Sequence, residues 1–307
     1  MLMPGLTVII TTFNRKKLLP HAIESIRNEG TDAEIIVVDD ASTDGTREFC
    51  ESLPGITYIR QDRNRGTAAA RNAGIRQSRN DRIAFLDDDD WRLPGTFAEQ
   101  ISLLEQDPEC GLVYGKVLYA NQERQLNGES NLDQPAPEGD VLLELLHRNF
   151  ITLSSVVLRK EALVNAGLFD ESPAMLGLED WDMWLRMTTR YKVRCLHKAV
   201  AVYRKPEAGS GQWYSDLGRQ YALAGRAYRD KWFRIPAVRE KLGHRFAEVR
   251  SKILSQTSDI IIYGALHHAK GFRDRMKRMM AALRCRPVNL LSMRFWKSMV
   301  RALLIFR

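Results

Sequence analysis

Short apolar runs alternate with helical stretches through the first third of the chain. Leu6–Thr11, Glu34–Asp39, Ile56–Arg60 and Arg82–Leu86 are rich in β-branched and aliphatic residues and have the length of strands. Three of the four are nearly continuous apolar runs, the pattern of parallel strands buried on both faces. Lys16–Asn28, Asp44–Leu53 and Thr67–Ser78, which separate them, have helical composition and length. The alternation predicts right-handed crossovers and an open α/β sheet. In such a sheet ligands bind beyond the carboxyl ends of the strands, so the residues just after each strand carry the chemical interest.

Farther along, Thr96–Gln106 reads as a helix, Cys110–Ala120 as a long strand and Asn121–Glu138 as a polar loop that covers or flanks the site. Val141–Arg148 and Lys160–Ala166 read as helices with a strand, Ser154–Leu158, between them, and an amphipathic helix opens at Gly177 and runs to about Arg190. Beyond about Gln212 the pattern is helical only, broken at Pro236, Gly264 and Pro287. A length of 307 residues suits two domains. The boundary expected near Gly209–Gly211 divides residues 1–210 from 211–307, and the first part into a nucleotide-binding half, about 1–110, and an acceptor-side half, about 111–210.

Composition narrows the class. Hydrophobic residues at 44% and charged residues at 27% are a globular balance, not that of a disordered or fibrous chain. No apolar run approaches the roughly 18 residues of a membrane-spanning helix. Met1–Gly5 has no basic n-region and Leu6–Ile10 is too short for a signal core, so the expectation is a cytoplasmic protein. Cys50, Cys110, Cys195 and Cys285 are scattered without a paired spacing, as buried free thiols would be. The net charge of +8 is informative once divided: Lys270–Arg307 holds eleven Lys and Arg against one acid, Asp274, while the rest of the chain has 35 basic and 37 acidic residues.

Three strand ends are chemically unusual. Thr11-Thr12-Phe13-Asn14-Arg15 puts a ring that can stack on a base beside a cation that can approach a phosphate; the same residues also read as a plain turn with Asn14 as N-cap. Asp39 and Asp40 close the second strand. A carboxylate there can accept a hydrogen bond from a ring N–H of uracil, thymine or guanine, which cytosine does not offer. The bland alternative is two surface acids ahead of Asp44 capping the next helix. The fourth strand runs directly into Asp87-Asp88-Asp89-Asp90-Trp91. Adjacent carboxylates oppose one another's ionisation unless a cation offsets them. Mg²⁺ and Mn²⁺ take oxygen ligands, typically one or two carboxylates plus substrate phosphate. Later, Glu179 and Asp180 open a helix between Trp residues, either as acids that suit its dipole or with one as a general base.

In order, Thr7-Val-Ile-Ile-Thr-Thr-Phe-Asn-Arg15, Glu34-Ile-Ile-Val-Val-Asp-Asp-Ala-Ser-Thr-Asp-Gly-Thr46, Asn64-Arg-Gly-Thr-Ala-Ala-Ala-Arg-Asn-Ala-Gly74, Phe85-Leu-Asp-Asp-Asp-Asp-Trp91 and Glu179-Asp-Trp-Asp-Met-Trp-Leu-Arg186 resemble the motifs of family 2 glycosyltransferases. The resemblance covers roughly residues 5–205. It implies the GT-A fold, a mostly parallel α/β sheet flanked by helices, here with a helical C-terminal extension. It also implies inverting transfer of one sugar from a nucleotide-sugar, UDP- or dTDP-linked by the strand-end acid, to a glycan or lipid-linked hydroxyl in cell-envelope polysaccharide synthesis. By the same resemblance Thr11, Phe13 and Arg15 serve the nucleotide, Asp40 the base and Arg71 the diphosphate. Asp87 and Asp88 then lie at the nucleotide-sugar, Asp89 holds Mn²⁺ or Mg²⁺, and Asp180 is the catalytic base, with Glu179 and Asp90 as second choices and Asp182 behind them. Processive members carry a Gln-x-x-Arg-Trp element and membrane helices, and neither is found, which points to single addition. Tyr203–Ser210 resembles the acceptor-side loop.

A nucleotidyltransferase would want a Gly-rich loop after the first strand, and an aspartyl phosphatase an Asp there; the sequence has neither. A binding module without catalysis remains the non-enzyme alternative. The basic tail alternates cations with apolar residues and reads as a solvated face, a nucleic-acid patch or an interfacial helix. The last is favoured and places the protein peripherally on the anionic inner face of the membrane, with no nucleic-acid partner.

Overall fold

The structure, a computed structural model, describes residues 5–131, 136–205 and 217–304. The chain forms two compact units, residues 1–172 with 179–207, and residues 173–178 with 208–307.

The first unit is built on a nine-stranded sheet ordered β3-β2-β1-β4-β8-β6-β9-β5, with β7 on the edge of β6. The strands are β1 Leu6–Thr12, β2 Ala33–Asp39, β3 Ile56–Arg60, β4 Arg82–Asp87, β5 Trp91–Arg92, β6 Cys110–Ala120, β7 Leu126–Ser130, β8 Val157–Arg159 and β9 Lys192–Arg204. The first four pair in parallel, with Thr12 beside Asp39 and Thr11 beside Asp87, so three strand ends share one edge. The expected parallel sheet is therefore found among β1 to β4, while β5, β7 and β8 pair antiparallel and make the rest of the sheet mixed. β6 and β9 pair in parallel through irregular register.

Helices α1 Leu19–Arg27, α2 Thr46–Glu51, α3 Thr67–Gln77, α4 Thr96–Gln106, α5 Leu142–His147, α6 Lys160–Asn165 and α7 Glu179–Met187 complete the unit. The buried face of α1 meets Val8, Ile10, Val37 and Leu86 in one core. α3 approaches β1 closely because Gly74 lies against Ile9, whose Cγ2 would stand 2.5 Å from an added Cβ. Ala68, Ala69 and Ala70 are likewise small and buried, and the close approach carries Arg71 to the strand ends.

Several boundaries differ from the sequence reading. α1 starts three residues later than expected, because Asn14 takes a left-handed φ of 53° and turns the chain before Pro20 opens the helix. Asn14 is not a helix cap: its Oδ1 accepts the Thr43 N–H at 2.7 Å and ties the loops after β1 and β2 together. The N-cap of α2 is Gly45, and Asp44 acts one residue earlier, accepting the Thr46 N–H. The expected strand at Ser154–Leu158 is a 3₁₀ turn, Leu153–Ser155, followed by β8. The polar loop after Ala120 contains β7, while residues 132–135 of it, and residues 206–210 of the expected acceptor loop, lie outside the described residues. The four cysteines are buried and free.

The second unit is helical: α8 Leu217–Asp230, α9 Pro236–Leu242, α10 Phe246–His267, α11 Phe272–Cys285 and α12 Met293–Leu304, with 3₁₀ turns at Trp232–Arg234 and Pro287–Leu291. Pro236 and Pro287 open elements as expected, but Gly264 does not end one. It lies inside α10 against Gly218, whose Cα would be 2.5 Å from a Cβ there, so it serves a close helix crossing. Among the described residues no helix is long and apolar enough to cross a membrane.

Candidate active site

The strand-end loops are organised by carboxylates. Asp39 is fully buried and spent on structure: Oδ1 accepts the Ser42 N–H at 2.7 Å, and Oδ2 accepts from the Tyr58 hydroxyl at 2.6 Å and Arg60 Nη1 at 3.1 Å. Asp40 accepts the Arg65 N–H at 2.7 Å and the Gly66 N–H at 2.8 Å, which orders the loop leading into α3. Each of its oxygens keeps a second lone pair. Thr11 is buried near the end of β1, in register with Val38 and Asp87, and Phe13 stands 42% exposed just past the strand end.

The four consecutive aspartates fall into three settings. Asp87 meets Arg71 Nη2 at 3.0 Å. Asp88 and Asp89 share one cation, Arg15 Nη1, at 3.0 and 2.8 Å. Burial, offset in part by Arg15, pushes Asp88 up to about 7, and burial also raises Asp89. Asp88 Oδ2 is buried with no protein partner. Asp90 is withdrawn from this group: it is buried, accepting from Ser154 Oγ at 2.5 Å and from the Arg204 N–H at 3.0 Å. Both of its oxygens thus serve the fold, fixing the acidic turn to the 3₁₀ turn Leu153–Ser155 and to the end of β9.

The acid set fits a divalent cation. Among the described residues no ready cluster of three or more His, Cys, Asp or Glu exists. Yet Mg²⁺ and Mn²⁺ typically need only one or two protein carboxylates and complete their shell with phosphate and water. An orphaned carboxylate oxygen on Asp88 and a guanidinium standing between Asp88 and Asp89 mark a place that calls for positive charge.

α7 brings the second half of the site. Its indoles anchor it: Trp181 Nε1 donates to the Leu145 carbonyl at 2.7 Å and Trp184 Nε1 to that of Ile151 at 3.2 Å. Asp180 Oδ2 accepts from Asn149 Nδ2 at 3.1 Å, and Oδ1 accepts the Trp181 N–H at 2.7 Å. Burial pushes Asp180 up to about 6, against the pull of the Arg71 cation, with Glu179 adding to the rise. Glu179 accepts from Thr67 Oγ1 at 3.1 Å, at the first turn of α3. Asp182 is fully buried and paired with Arg186, which also donates to the carbonyls of Ala166 and Leu168, so it holds α7 in place. Arg71 is thus the joint of the site: it is buried, pairs with Asp87, lies 5.6 Å from the Phe169 ring and bears electrostatically on Asp180.

Three residues that sequence reasoning gave no role support this joint. Asn72 exchanges hydrogen bonds with the Phe169 backbone at 2.9 Å in both directions, clamping the chain ahead of α7 onto α3. Asn149 orients Asp180, and Ser154 holds Asp90. Only Asn72 carried a signal, inside the quoted Ala-Arg-Asn-Ala-Gly stretch.

A sheet whose parallel strand ends open on an acidic turn, with carboxylates at the start of a later helix, has the arrangement of the GT-A fold. The profile described as "Glycosyl transferase family 2" matches residues 7–163, and the chain belongs to that family, as the resemblance implied. An uncharacterized glycosyltransferase of Haemophilus influenzae is 31% identical over 61% of this chain and 65% of its own length. The Campylobacter jejuni GalNAc(5)-diNAcBac-PP-undecaprenol beta-1,3-glucosyltransferase is 32% identical over 66% of this chain and 65% of its own length. The match thus spans about two thirds of each relative. Among solved structures, Staphylococcus aureus TarS superposes with a TM-score of 0.63 at 14% identity, over 97% of this chain and 53% of TarS. The mannosyltransferase PcManGT of Pyrobaculum calidifontis superposes with 0.57 at 20% identity, over 99% and 88%.

Proposed function

We propose that this family 2 glycosyltransferase transfers one sugar, with inversion, from a UDP- or dTDP-sugar to a hydroxyl of a glycan or lipid-linked acceptor in cell-envelope polysaccharide synthesis. The single observation that carries the reading is Arg71, which pairs with Asp87 of the acidic turn and acts electrostatically on Asp180 of α7. It joins the donor side to the proton acceptor. The undecaprenol-linked substrate in the name of the Campylobacter relative supports a lipid-linked acceptor.

In this reading Thr11 and Phe13 flank the nucleoside, the free lone pairs of Asp40 face the base N–H, and Arg15 and Arg71 approach the diphosphate. Asp88 faces the ribose or sugar and Asp89 holds Mn²⁺ or Mg²⁺, with Asp87 beside it. A cation bound there would act as Lewis acid on the leaving diphosphate. Asp180 takes the acceptor proton while the hydroxyl attacks the anomeric carbon from the face opposite the leaving group; Asn149 and the Trp181 N–H fix the carboxylate's orientation. Arg71 stabilises the charge that develops on the diphosphate. Residues 1–210 carry the transferase and 211–307 a helical region whose cations hold the enzyme peripherally on the cytoplasmic face of an anionic membrane.

The test is Asp180→Asn. It keeps the shape of the side chain but accepts no proton, so transfer falls by about 10²–10⁴-fold while calorimetry finds donor binding near wild type. Near-normal turnover would remove Asp180 from the reaction and point to Glu179.

A further inference from the structure

The second unit buries one face of α12 and leaves another uncovered. Phe295 and Ala302 are buried with Met279 of α11 and Ala265 of α10, and Met299 packs against them. Phe295 and Met299, apolar residues of the basic tail, therefore face inward and are not part of any lipid-facing side. A second apolar stripe of α12, Met293, Trp296 and Val300, spaced three and four residues apart, faces outward, with Met293 74% exposed. The 3₁₀ turn just before the helix extends this stripe through Val288, Leu290 and Leu291, the last 87% exposed. Six of the thirteen large exposed apolar side chains among the described residues thus fall within Val288–Val300. Trp296 Nε1 donates to the Leu290 carbonyl at 2.9 Å, which pins the indole over the turn and gives the patch a fixed shape.

We propose that this outward face docks the chain onto an anionic lipid bilayer, the 288–300 side chains entering the headgroup and acyl boundary. Charge decides the occupant. Arg294, Lys297 and Arg301 are exposed on the same helix, and Lys270, Arg273, Lys277 and Arg284 on or beside α11. Arg275 and Arg278 do not contribute, since the first donates to the Ala302 carbonyl and the second pairs with Asp274. A second copy seated on this face would set one strongly basic surface against another. Nucleic acid would meet the cations but leave Leu291 and Met293 unused. An anionic bilayer satisfies both, and each cation near such a surface strengthens the attraction. The proposal deepens the membrane location given above and rests on that reading only for its purpose, because docking needs no substrate.

The experiment is co-sedimentation of the full chain, without donor or acceptor, with phosphatidylcholine vesicles containing or lacking phosphatidylglycerol. The expected result is binding to the anionic vesicles only, weakened by salt. The double variant Leu291→Glu/Met293→Glu lowers the partition coefficient at least about tenfold, as does Lys297→Glu/Arg301→Glu, and both keep the wild-type melting curve because these side chains are exposed. Leu126→Glu, an exposed position in the first unit, leaves partitioning unchanged. Binding that ignores lipid charge, variants that partition like wild type, or a face whose variants change only self-association in light scattering while vesicles are ignored would each overturn the proposal. Transfer to a soluble acceptor reads the enzymatic proposal separately, so the two can fail independently.

Discussion

Two carboxylate–arginine clusters sit a few residues apart around the fourth strand and behave in opposite ways. In one, Arg92 and Glu29 are completely buried, and the rest of both side chains is consumed: Arg92 donates to Thr96, Gln100 and the Ser154 carbonyl, and Glu29 accepts from the Thr96 backbone and hydroxyl. In the other, Arg15 is about one third exposed, its two aspartates repel each other, and Asp88 Oδ2 is left without a partner. A closed cluster is finished by folding. An open one keeps a lone pair to offer. The contrast shows why counting charges does not locate a site: the same residue types make a bolt in one place and a receptor in the other, and satisfaction of lone pairs separates them.

The closed cluster should give the largest effect when broken. Arg92→Leu leaves Glu29 buried and unpaired, at a cost of ~3–5 kcal/mol in chemical denaturation, while the protein that remains folded binds UDP normally. If Arg92→Leu melts like wild type, the cluster is not the structural half of the comparison. Asp89→Ala should do the reverse. It removes a carboxylate disfavoured by burial, so the melting temperature holds or rises. The Mn²⁺-dependent part of UDP affinity, by contrast, falls about tenfold or more in calorimetry. Unchanged affinity would take the acidic turn out of donor binding.

A smaller, graded effect comes from Asp180. It accepts a proton only when ionised, and burial has raised it to about 6, so kcat/KM should fall tenfold per pH unit below that value and level off above it. A profile flat down to pH 5 would contradict the assignment. The smallest effect sharpens the comparison most. Arg15 already occupies the place between Asp88 and Asp89, so Arg15→Gln should tighten binding of Mn²⁺ alone about two- to fivefold, read as free Mn²⁺ by paramagnetic resonance. Weaker Mn²⁺ binding in Arg15→Gln would show that the guanidinium does not compete for those carboxylates.

The legible part of the molecule was the part written locally. β1, β2 and β4 are buried on both faces or nearly so, and continuous apolar runs announce them, whereas β3 is half-buried at the sheet edge. β9 is the longest strand in the described residues and went unread, because His197 and Lys198 interrupt its apolar pattern where the register with β6 slips. β5 has two residues, too short for any period. The acidic run was visible as a site, but nothing in four identical neighbours says that Asp90 belongs to Ser154 and Arg204. Those partners arrive from 64 and 114 residues away. Asn149 escaped for the same reason: its role exists only once α7 is packed over it.

The path of the chain has a consequence for how such enzymes can be recombined. Residues 173–178 leave the first unit, contribute the buried Met175 and Leu178 to the second, where Pro173–Met175 touches α8, and return immediately before Glu179 and Asp180. The polypeptide therefore crosses between the units three times, and no single cut separates them. A chimaera made by one crossover near residue 207 would inherit a foreign six-residue tenon in the helical unit, spliced one peptide bond from α7. Exchange of the helical unit among relatives requires both segments to travel together, so heredity at this locus is coupled to α7 by the covalent chain itself.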